Sequence, residues 1–196
     1  MLESSSDLPL SQPPDFRARR AVFLDLDGTL NAAVVRDGQP HPPAAGDPLV
    51  LLPGVAEGCA RLKAAGFTLV VATNQPDVGR GTLPQAAVET IHEELRCRLP
   101  LDRIEVSYAS GRENPPAEDR KPRPGMLQRA ARDLRIDLVR SWMVGDRWRD
   151  IDCGQNAGCR TVFIDHGYGE ALRAHPDFTV HDFAAAVEVI LKNQPD

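Results

Sequence analysis

The chain has 196 residues, of which 42% are hydrophobic and 26% charged, and its net charge is -5 at pH 7. That length suits one domain with a complete hydrophobic core, and the acidic balance argues against a nucleic-acid partner, whose binding surface would be basic. No apolar run approaches the roughly 20 residues of a membrane span, so we predict a cytoplasmic protein that binds neither nucleic acid nor membrane.

Residues 1–18 are rich in Ser and Pro and contain no apolar run of signal-peptide length. This composition is typical of a flexible tail. The rest of the sequence shows no internal repeat and no second hydrophobic core, so we predict a single domain over residues 19–194.

The hydrophobic pattern predicts strands that alternate with helices. In chain order, the predicted elements are a strand at 21–26, a helix at 53–65, a strand at 67–72, a helix at 84–99, a weaker strand at 104–108, a helix at 124–134, a strand at 142–144, a helix at 149–157, a strand at 160–164 and a helix at 183–192. Strands that are apolar on both faces and alternate with helices are typical of a parallel sheet covered on both sides. We therefore predict an α/β fold, a Rossmann-like three-layer α/β/α sandwich with a mainly parallel sheet.

Two long segments, 31–51 and 109–120, are rich in Pro, Gly and charge and are predicted to be loops. Loops of this length in a compact domain are usually functional or disordered. Both leave the sheet at the edge where the candidate site lies, and the sequence leaves open whether they contact a substrate or are mobile.

Three polar residues lie at or near the ends of predicted strands: Asp25, Thr73 and Asp146. In an open parallel sheet the ligand crevice lies at the carboxyl ends of the strands. We therefore expect these three side chains to meet in one crevice.

A pair of carboxylates follows the first strand, in the segment Asp25-Leu26-Asp27-Gly28-Thr29. Such a pair alone is common in solvated turns, but this one lies directly after a buried strand and before Gly-Thr. Two carboxylates so close form a hard, oxygen-rich site suited to Mg²⁺. One can attack phosphorus while the other transfers protons.

Further phosphate-binding groups follow at suitable places. Thr73-Asn74 offers a hydroxyl and an amide after the second strand, and Lys121 lies just before a helix, where it can neutralise phosphate charge. Asp146 adds a third carboxylate, with Asp150 four residues later.

The ordered set DLDGT, ATN, KP and GD-x-x-x-D resembles the four motifs of the haloacid dehalogenase (HAD) superfamily, over roughly residues 21–165. The resemblance implies that Asp25 is the nucleophile and forms an aspartyl-phosphate, and that Asp27 is first the general acid and then the base. It also implies that Mg²⁺ is bound by the Asp25 carboxylate, the Asp27 backbone carbonyl and Asp146, with support from Asp150. Because Asp27 is present, the phosphatase branch fits better than the dehalogenase branch.

The same resemblance assigns Thr73 and Lys121 to the transferring phosphoryl group. Many members carry a cap domain, but the intervals before Thr73 and before Lys121 are already filled by a loop, a helix and a strand or two, so we predict no cap. For an uncapped small domain we expect a monomer.

The amino-acid sequence of four segments, 72–75, 79–81, 120–126 and 143–146, is similar to that of the heptose 1,7-bisphosphate and histidinol-phosphate phosphatase group. This similarity implies a small sugar phosphate, sugar bisphosphate or similar metabolite as substrate. The residues assigned to substrate binding are Thr29, Asn74, Arg80 and Arg120. That group usually binds a structural zinc in the loop before Arg-Lys-Pro, but residues 107–119 contain no Cys or His, so we predict no zinc.

Other functions stay open at this stage. Histidinol phosphate or another phosphomonoester is the alternative substrate, and a phosphomutase is a further possibility that usually requires a cap. A signalling receiver domain also combines acidic residues with Thr and Lys, but it is shorter and has no Gly-Thr after the carboxylates. A non-catalytic phosphate-binding homologue is disfavoured because every expected catalytic side chain is present.

Overall fold

The computed structural model describes residues 18–36, 39–41 and 48–194. The predicted tail therefore lies, apart from residue 18, outside the described residues, as does part of the predicted loop at 31–51. The strands are β1 (Ala21–Leu24), β2 (Val34–Arg36), β3 (Gln39–His41), β4 (Thr68–Asn74), β5 (Arg103–Ser107), β6 (Trp142–Gly145), β7 (Arg160–Ile164) and β8 (Phe178–Val180). The helices are α1 (Val55–Ala64), α2 (Pro76–Gly79), α3 (Gln85–Arg98), α4 (Gly125–Leu134), α5 (Trp148–Ala157) and α6 (Phe183–Lys192).

Six strands form a parallel sheet in the order β5-β4-β1-β6-β7-β8, and β2 and β3 form a separate antiparallel hairpin. The central strand β1 pairs with β4 and β6 in parallel, and Leu24 lies opposite Val71 and Val144. The chain order reverses at β1, since β4 and β5 lie on one side and β6, β7 and β8 on the other. Such a switch point opens a crevice at the carboxyl ends of the strands.

Hydrophobic cores cover both faces of this sheet. Val22 and Leu24 point to the face covered by α1, α3 and α6, whereas Ala21 and Phe23 point to the face covered by α4 and α5. All four residues of β1 are fully buried, and burying a side chain as large as Phe23 or Leu24 contributes about 1.5–3 kcal/mol. The predicted three-layer α/β/α sandwich is confirmed, and the buried central strand holds the following residue, Asp25, in a fixed place.

Four short elements were not predicted: the hairpin of β2 and β3, the single turn α2, and the edge strand β8. Each is three or four residues long, which is too short for a periodic hydrophobic pattern. β1 ends at Leu24 rather than Leu26, because the Leu26 carbonyl accepts hydrogen bonds from the amides of residues 29–31 and the chain turns there. Within the described ranges, no helix is long and apolar enough to cross a membrane.

Candidate active site

Asp25 lies at the end of the central strand, and its backbone N–H donates a hydrogen bond to the Val144 carbonyl at 3.0 Å. Its side chain accepts a hydrogen bond from Lys121 Nζ at 2.6 Å. The same Lys121 nitrogen lies 2.6 Å from Asp150 Oδ1. Lys121 is 3% exposed, and although burial lowers the pKa of a lysine, the charges of Asp150 and Asp25 outweigh it and raise this pKa. Lys121 is therefore a permanently charged cation beside the predicted nucleophile.

Asp25, Asp146 and Asp150 form a cluster in which one carboxylate oxygen from each lies within 4.8 Å of the others. Both side-chain oxygens of Asp146 are buried, with no hydrogen-bond donor within 3.5 Å, although the Tyr168 hydroxyl lies close enough to interact with this carboxylate. Burial first, and then the charges of Asp25 and Asp150, raise the pKa of Asp146. Buried carboxylates without partners are unfavourable, and a divalent cation would stabilise their ionised form. The all-oxygen donor set suits Mg²⁺.

Two glycines allow these carboxylates to come so close. Gly28 has φ +89, and a Cβ atom on it would lie 1.9 Å from Asp146 Oδ2. A Cβ atom on Gly145 would lie 2.3 Å from the Cβ of Asp150. Any larger residue at either position would displace a carboxylate of the cluster.

Amide side chains surround Asp27, the predicted proton carrier. Asn31 Nδ2 donates to Asp27 Oδ1 at 3.1 Å, and Gln75 Nε2 lies 3.4 Å from Asp27 Oδ2. Gln75 Nε2 also donates to Thr73 Oγ1 at 3.2 Å. Burial raises the pKa of Asp27, and the hydrogen bonds from Asn31 and Gln75 offset part of that rise. A carboxyl group with a raised pKa can carry a proton for a leaving group.

The loop that carries Lys121 is attached to the end of β4. Asn74 Nδ2 donates to the Lys121 carbonyl and Asn74 Oδ1 accepts from the Lys121 N–H, both at 3.1 Å. Because Thr73 and Asn74 are neighbours in β4, this reciprocal pair fixes Lys121 relative to Thr73. The predicted phosphate-binding groups thus meet at one end of the sheet.

A pocket of about 200 Å³ opens above Asp25. Its wall contains more cations than acids, and it is lined by Asp25, Asp27, Ala33, Thr73, Asn74, Pro76, Arg80, Arg120, Lys121, Arg147 and Arg149. Although the chain carries a net negative charge, this pocket is positive, which favours an anionic ligand.

Three arginines lie in the outer part of this wall and influence one another. Burial, followed by the charges of Arg149 and Arg80, lowers the pKa of Arg120. Arg120 donates to the Ala109 carbonyl at 3.0 Å, and Arg80 donates to the Ser110 carbonyl at 3.2 Å. Two of these arginines, Arg80 and Arg120, are thus held in the pocket wall by backbone carbonyls, and the neighbouring positive charges favour an anionic ligand.

The loop between β5 and α4 is organised by a carboxylate. Glu113 accepts hydrogen bonds from the Ser110 N–H at 2.6 Å, the Ser110 hydroxyl at 2.7 Å and the Gly111 N–H at 2.9 Å. These bonds, led by that of the Ser110 side chain, lower the pKa of Glu113 to about 2. The predicted loop at 109–120 therefore has a defined path that places the Ala109 and Ser110 carbonyls beside the pocket.

The structure brings most of the predicted site residues together. Asp25, Asp27, Thr73, Asn74, Arg80, Arg120 and Lys121 line the pocket, and Asp146 and Asp150 lie beside Asp25. The structure does not bring Thr29 to the pocket, because the turn after Leu26 buries its side chain completely. The position of Thr29 therefore does not support the predicted substrate contact.

Four further residues belong to the site and were not predicted: Asn31 and Gln75 beside Asp27, and Arg147 and Arg149 in the pocket wall. The two arginines flank Trp148 at the start of α5, directly after Asp146. A sequence signal existed for them, since residues in the first turn of a helix that follows a strand-end aspartate face the crevice. Gln75 carries a strand-end signal as well, because it directly follows β4, whereas no comparable local signal marks Asn31.

Comparisons with known proteins show which family this chain resembles. The sequence model of the HAD-hydrolase-like family matches residues 119–186. The D-glycero-D-manno-heptose-1,7-bisphosphate 7-phosphatase of Thermosynechococcus vestitus is 37% identical over 88% of this chain and 95% of its own length. The D-glycero-beta-D-manno-heptose-1,7-bisphosphate 7-phosphatase of Escherichia coli K12 is 35% identical, over 89% of this chain and 95% of its own. A crystal structure of D,D-heptose 1,7-bisphosphate phosphatase from B. bronchiseptica, complexed with magnesium and phosphate, is 28% identical with a TM-score of 0.73, over 88% of this chain and 98% of that one.

Proposed function

Because the chain belongs to the heptose bisphosphate phosphatase group of the haloacid dehalogenase superfamily, we propose that it is a magnesium-dependent phosphatase that hydrolyses one phosphate ester of a small sugar bisphosphate. The observation that carries this proposal is the position of Asp25, at the floor of a positive pocket and 2.6 Å from a buried Lys121. A carboxylate in that position can attack a phosphorus atom whose oxygens contact Lys121.

In the first half of the reaction, an Asp25 carboxylate oxygen forms a bond to phosphorus while the bond from phosphorus to the sugar oxygen breaks. Asp27 donates its proton to that sugar oxygen, which leaves as an alcohol. Thr73 and Lys121 hold the phosphoryl oxygens during the transfer. The product of this half-reaction is an aspartyl-phosphate on Asp25.

In the second half, Asp27 accepts a proton from a water molecule as the water oxygen attacks the phosphorus. The bond from phosphorus to the Asp25 oxygen breaks, which releases inorganic phosphate and restores the Asp25 carboxylate. Asp27 can serve in both directions because its carboxyl group lies in the same pocket as Asp25 and has a raised pKa. Magnesium would be bound by Asp25, Asp146 and the Asp27 backbone carbonyl, with Asp150 as support, and would neutralise charge on the phosphoryl group.

The arginines in the outer pocket support a substrate with a second anionic group. A single phosphate at Asp25 is served by Lys121 and Thr73, whereas Arg80, Arg120 and Arg149 lie in the outer wall. Arginine binds phosphate through two parallel hydrogen bonds. Among the described residues, no folded cap covers the pocket, so these loop and helix side chains must select the substrate.

The test compares a panel of phosphate esters in the presence and absence of Mg²⁺: a heptose 1,7-bisphosphate, sugar monophosphates and histidinol phosphate. We expect Mg²⁺-dependent release of phosphate, fastest from the bisphosphate. Asp25→Asn has nearly the same shape and should reduce kcat by at least about 10³-fold. Activity that survives this substitution would refute the mechanism, and a preference for histidinol phosphate would refute the proposed substrate.

We further propose that the loop at 107–120 folds without zinc, since it contains no thiolate or imidazole and Glu113 already orders it. Metal analysis of the purified protein tests this directly, and stoichiometric zinc would overturn it. Because the pocket is formed by residues of one chain, we also propose that a cytoplasmic monomer is active, which sedimentation under assay conditions tests.

A further inference from the structure

A second cavity, of about 320 Å³, is lined by Asp146, which lies beside Asp25 of the phosphate pocket. Its wall is acidic and aromatic, lined by Asp146, Trp148, Phe163, Asp165, Gly167, Tyr168, Glu170 and Leu172. Much of it comes from residues 165–173, which follow β7 and lie outside the four sequence motifs. We call these residues the 165–173 segment.

The 165–173 segment makes three contacts with two parts of the active site, the turn after β1 and the start of α5. His166 Nε2 lies 2.7 Å from the Gly28 carbonyl, in the turn after β1. The guanidinium of Arg173 lies over the Trp148 ring, 3.4 Å from its centroid, at the start of α5. Glu170 binds Arg147. The segment is therefore attached to the turn that carries Asp27 and to the helix start that carries two pocket arginines.

The ion pair between Glu170 and Arg147 separates the two cavities, since Glu170 lines the second cavity and Arg147 lines the phosphate pocket. It is bidentate: Arg147 Nε donates to Oε2, and the Arg147 NH2 group donates to Oε1 at 2.8 Å. The two side chains are only 15% and 20% exposed. Both carboxylate oxygens of Glu170 thus fix one guanidinium plane in the pocket wall.

The backbone of Arg147 is also held in place, by its position at the start of α5. Arg147 is the N-cap of α5, and its N–H donates to Asp150 Oδ2 at 3.0 Å. Arg149 only reaches Glu170 Oε1 at 4.0 Å, and the Trp148 side chain also forms a hydrogen bond to Glu170. Among the described arginines, Arg147 is thus the one whose guanidinium Glu170 holds through two hydrogen bonds.

We propose that Glu170 is a positioning residue that holds the Arg147 guanidinium toward the non-transferred anionic group of the substrate, and so sets the specificity for doubly charged substrates. This inference rests on the proposed function. An arginine side chain in solution has many rotamers, and its guanidinium donates a well-directed hydrogen bond to an anion only when it is held in the right plane. Glu170 supplies that constraint without touching the substrate.

The first test is Glu170→Gln, assayed with a heptose 1,7-bisphosphate and with 4-nitrophenyl phosphate, which has one phosphate and no second anionic group. We expect KM for the bisphosphate to rise about tenfold, the loss that corresponds to roughly one charge-assisted hydrogen bond. We expect kcat, KM for 4-nitrophenyl phosphate and the Mg²⁺ concentration for half-activation to stay within about twofold, since the ion pairs of Glu170 are with Arg147 and Arg149 rather than with Lys121.

The matched control is Glu188→Gln. Glu188 also pairs with an arginine, Arg61, at 2.6 Å, but it lies on the surface of α6 with a side chain that is 46% exposed. This variant loses a Glu–Arg ion pair outside the site and should retain the wild-type KM for both substrates. An equal rise in KM in both variants would overturn the inference.

A double-variant cycle asks whether Glu170 acts through Arg147. Arg147→Met alone should raise KM for the bisphosphate, and adding Glu170→Gln to it should raise KM no further, because the side chain to be positioned is gone. Additive effects would overturn the proposal. If Glu170→Gln does not fold, Arg147→Lys is measured instead. This variant keeps the positive charge but loses the planar guanidinium, and KM should rise for the bisphosphate but not for 4-nitrophenyl phosphate.

The outcomes separate this inference from the proposed function. If the wild-type protein hydrolyses no phosphate ester, the proposed function fails. If the wild type is active and Glu170→Gln leaves KM for the bisphosphate unchanged, only the positioning role fails. A fall in KM would also refute it, because removal of a negative charge would then matter more than loss of orientation.

Discussion

Gly28→Ala is expected to damage the metal site far more than the fold. Two effects follow from the structure. The backbone at Gly28 has φ +89, and an alanine held in the left-handed region costs roughly 1–2 kcal/mol. In addition, the new Cβ atom would lie 1.9 Å from Asp146 Oδ2 and 2.5 Å from its Cγ, so the carboxylate must move away by more than an ångström to reach an ordinary contact of about 3.5 Å.

Gly66→Ala separates these two effects. Gly66 has φ +85, close to that of Gly28, but a Cβ atom there would meet no atom within 4 Å. It should therefore cost only the backbone term of about 1–2 kcal/mol in the free energy of unfolding. Its catalytic activity and its affinity for Mg²⁺ should equal those of the wild type.

Unfolding in urea and calorimetric titration with Mg²⁺ measure the two effects. Gly28→Ala should lose at least as much stability as Gly66→Ala, and should bind Mg²⁺ at least about tenfold more weakly, as is typical when a residue that orients a ligand is lost. The activity should fall with the metal affinity. Equal stability losses together with wild-type Mg²⁺ binding in both variants would refute the assignment of Asp146 as a metal ligand held by Gly28.

Three further changes test the chemistry around Asp25. Asp27→Asn should lower kcat by about 10²- to 10⁴-fold for sugar phosphates. The loss should be much smaller for 4-nitrophenyl phosphate, because its leaving group needs no proton. Equal losses of kcat on both substrates would contradict the role of Asp27 as general acid. Burial raises the pKa of Asp27, and the hydrogen bond from Gln75 lowers it. Asp27 loses the proton it must donate as pH rises through that pKa, so Gln75→Leu, which removes the hydrogen bond, should move the alkaline limb of the kcat profile to higher pH. A shift to lower pH would disprove the effect. Lys121→Met leaves Asp25 and Asp150 buried without their cation, so the metal-free variant should be about 3–5 kcal/mol less stable than the metal-free wild type. Mg²⁺ should then raise the Tm of the variant more than that of the wild type. An unchanged Tm in the presence of a chelator would count against this ion pair.

The positions of Asp25, Thr73 and Asp146 could be predicted from the sequence because the rule that places them is topological. Each follows or ends an apolar strand, and parallel strands present their carboxyl ends on one side of the sheet. Thr29, which was assigned to substrate binding with the family resemblance, does not reach the pocket, because its orientation depends on a turn in which the amides of residues 29–31 share one carbonyl. Strand patterns give the place of a residue in the sheet but not the direction of a side chain in a turn.

The roles of Gln75 and Glu170 could not be predicted in this way, because they arise from tertiary contacts, although Gln75 directly follows β4. Gln75 reaches Asp27 across 48 positions of sequence, and Glu170 reaches Arg147 across 23. Glu170 also follows a strand in a segment with no periodic pattern, between β7 and the short edge strand β8 that was missed as well. Nothing local distinguishes such a glutamate from a solvated one.

The order of the loop before Lys121 has a direct consequence for substrate selection. Glu113 fixes the turn at Ser110 through three hydrogen bonds, and the carbonyls of Ala109 and Ser110 hold Arg120 and Arg80 in the pocket wall. Glu170 likewise binds Arg147. Two carboxylates that do not line the phosphate pocket thus hold its arginines, Glu113 through the loop carbonyls and Glu170 directly. An uncapped pocket constructed in this way can be selective for its substrate without closing over it, because the arginines are already in place before the substrate arrives.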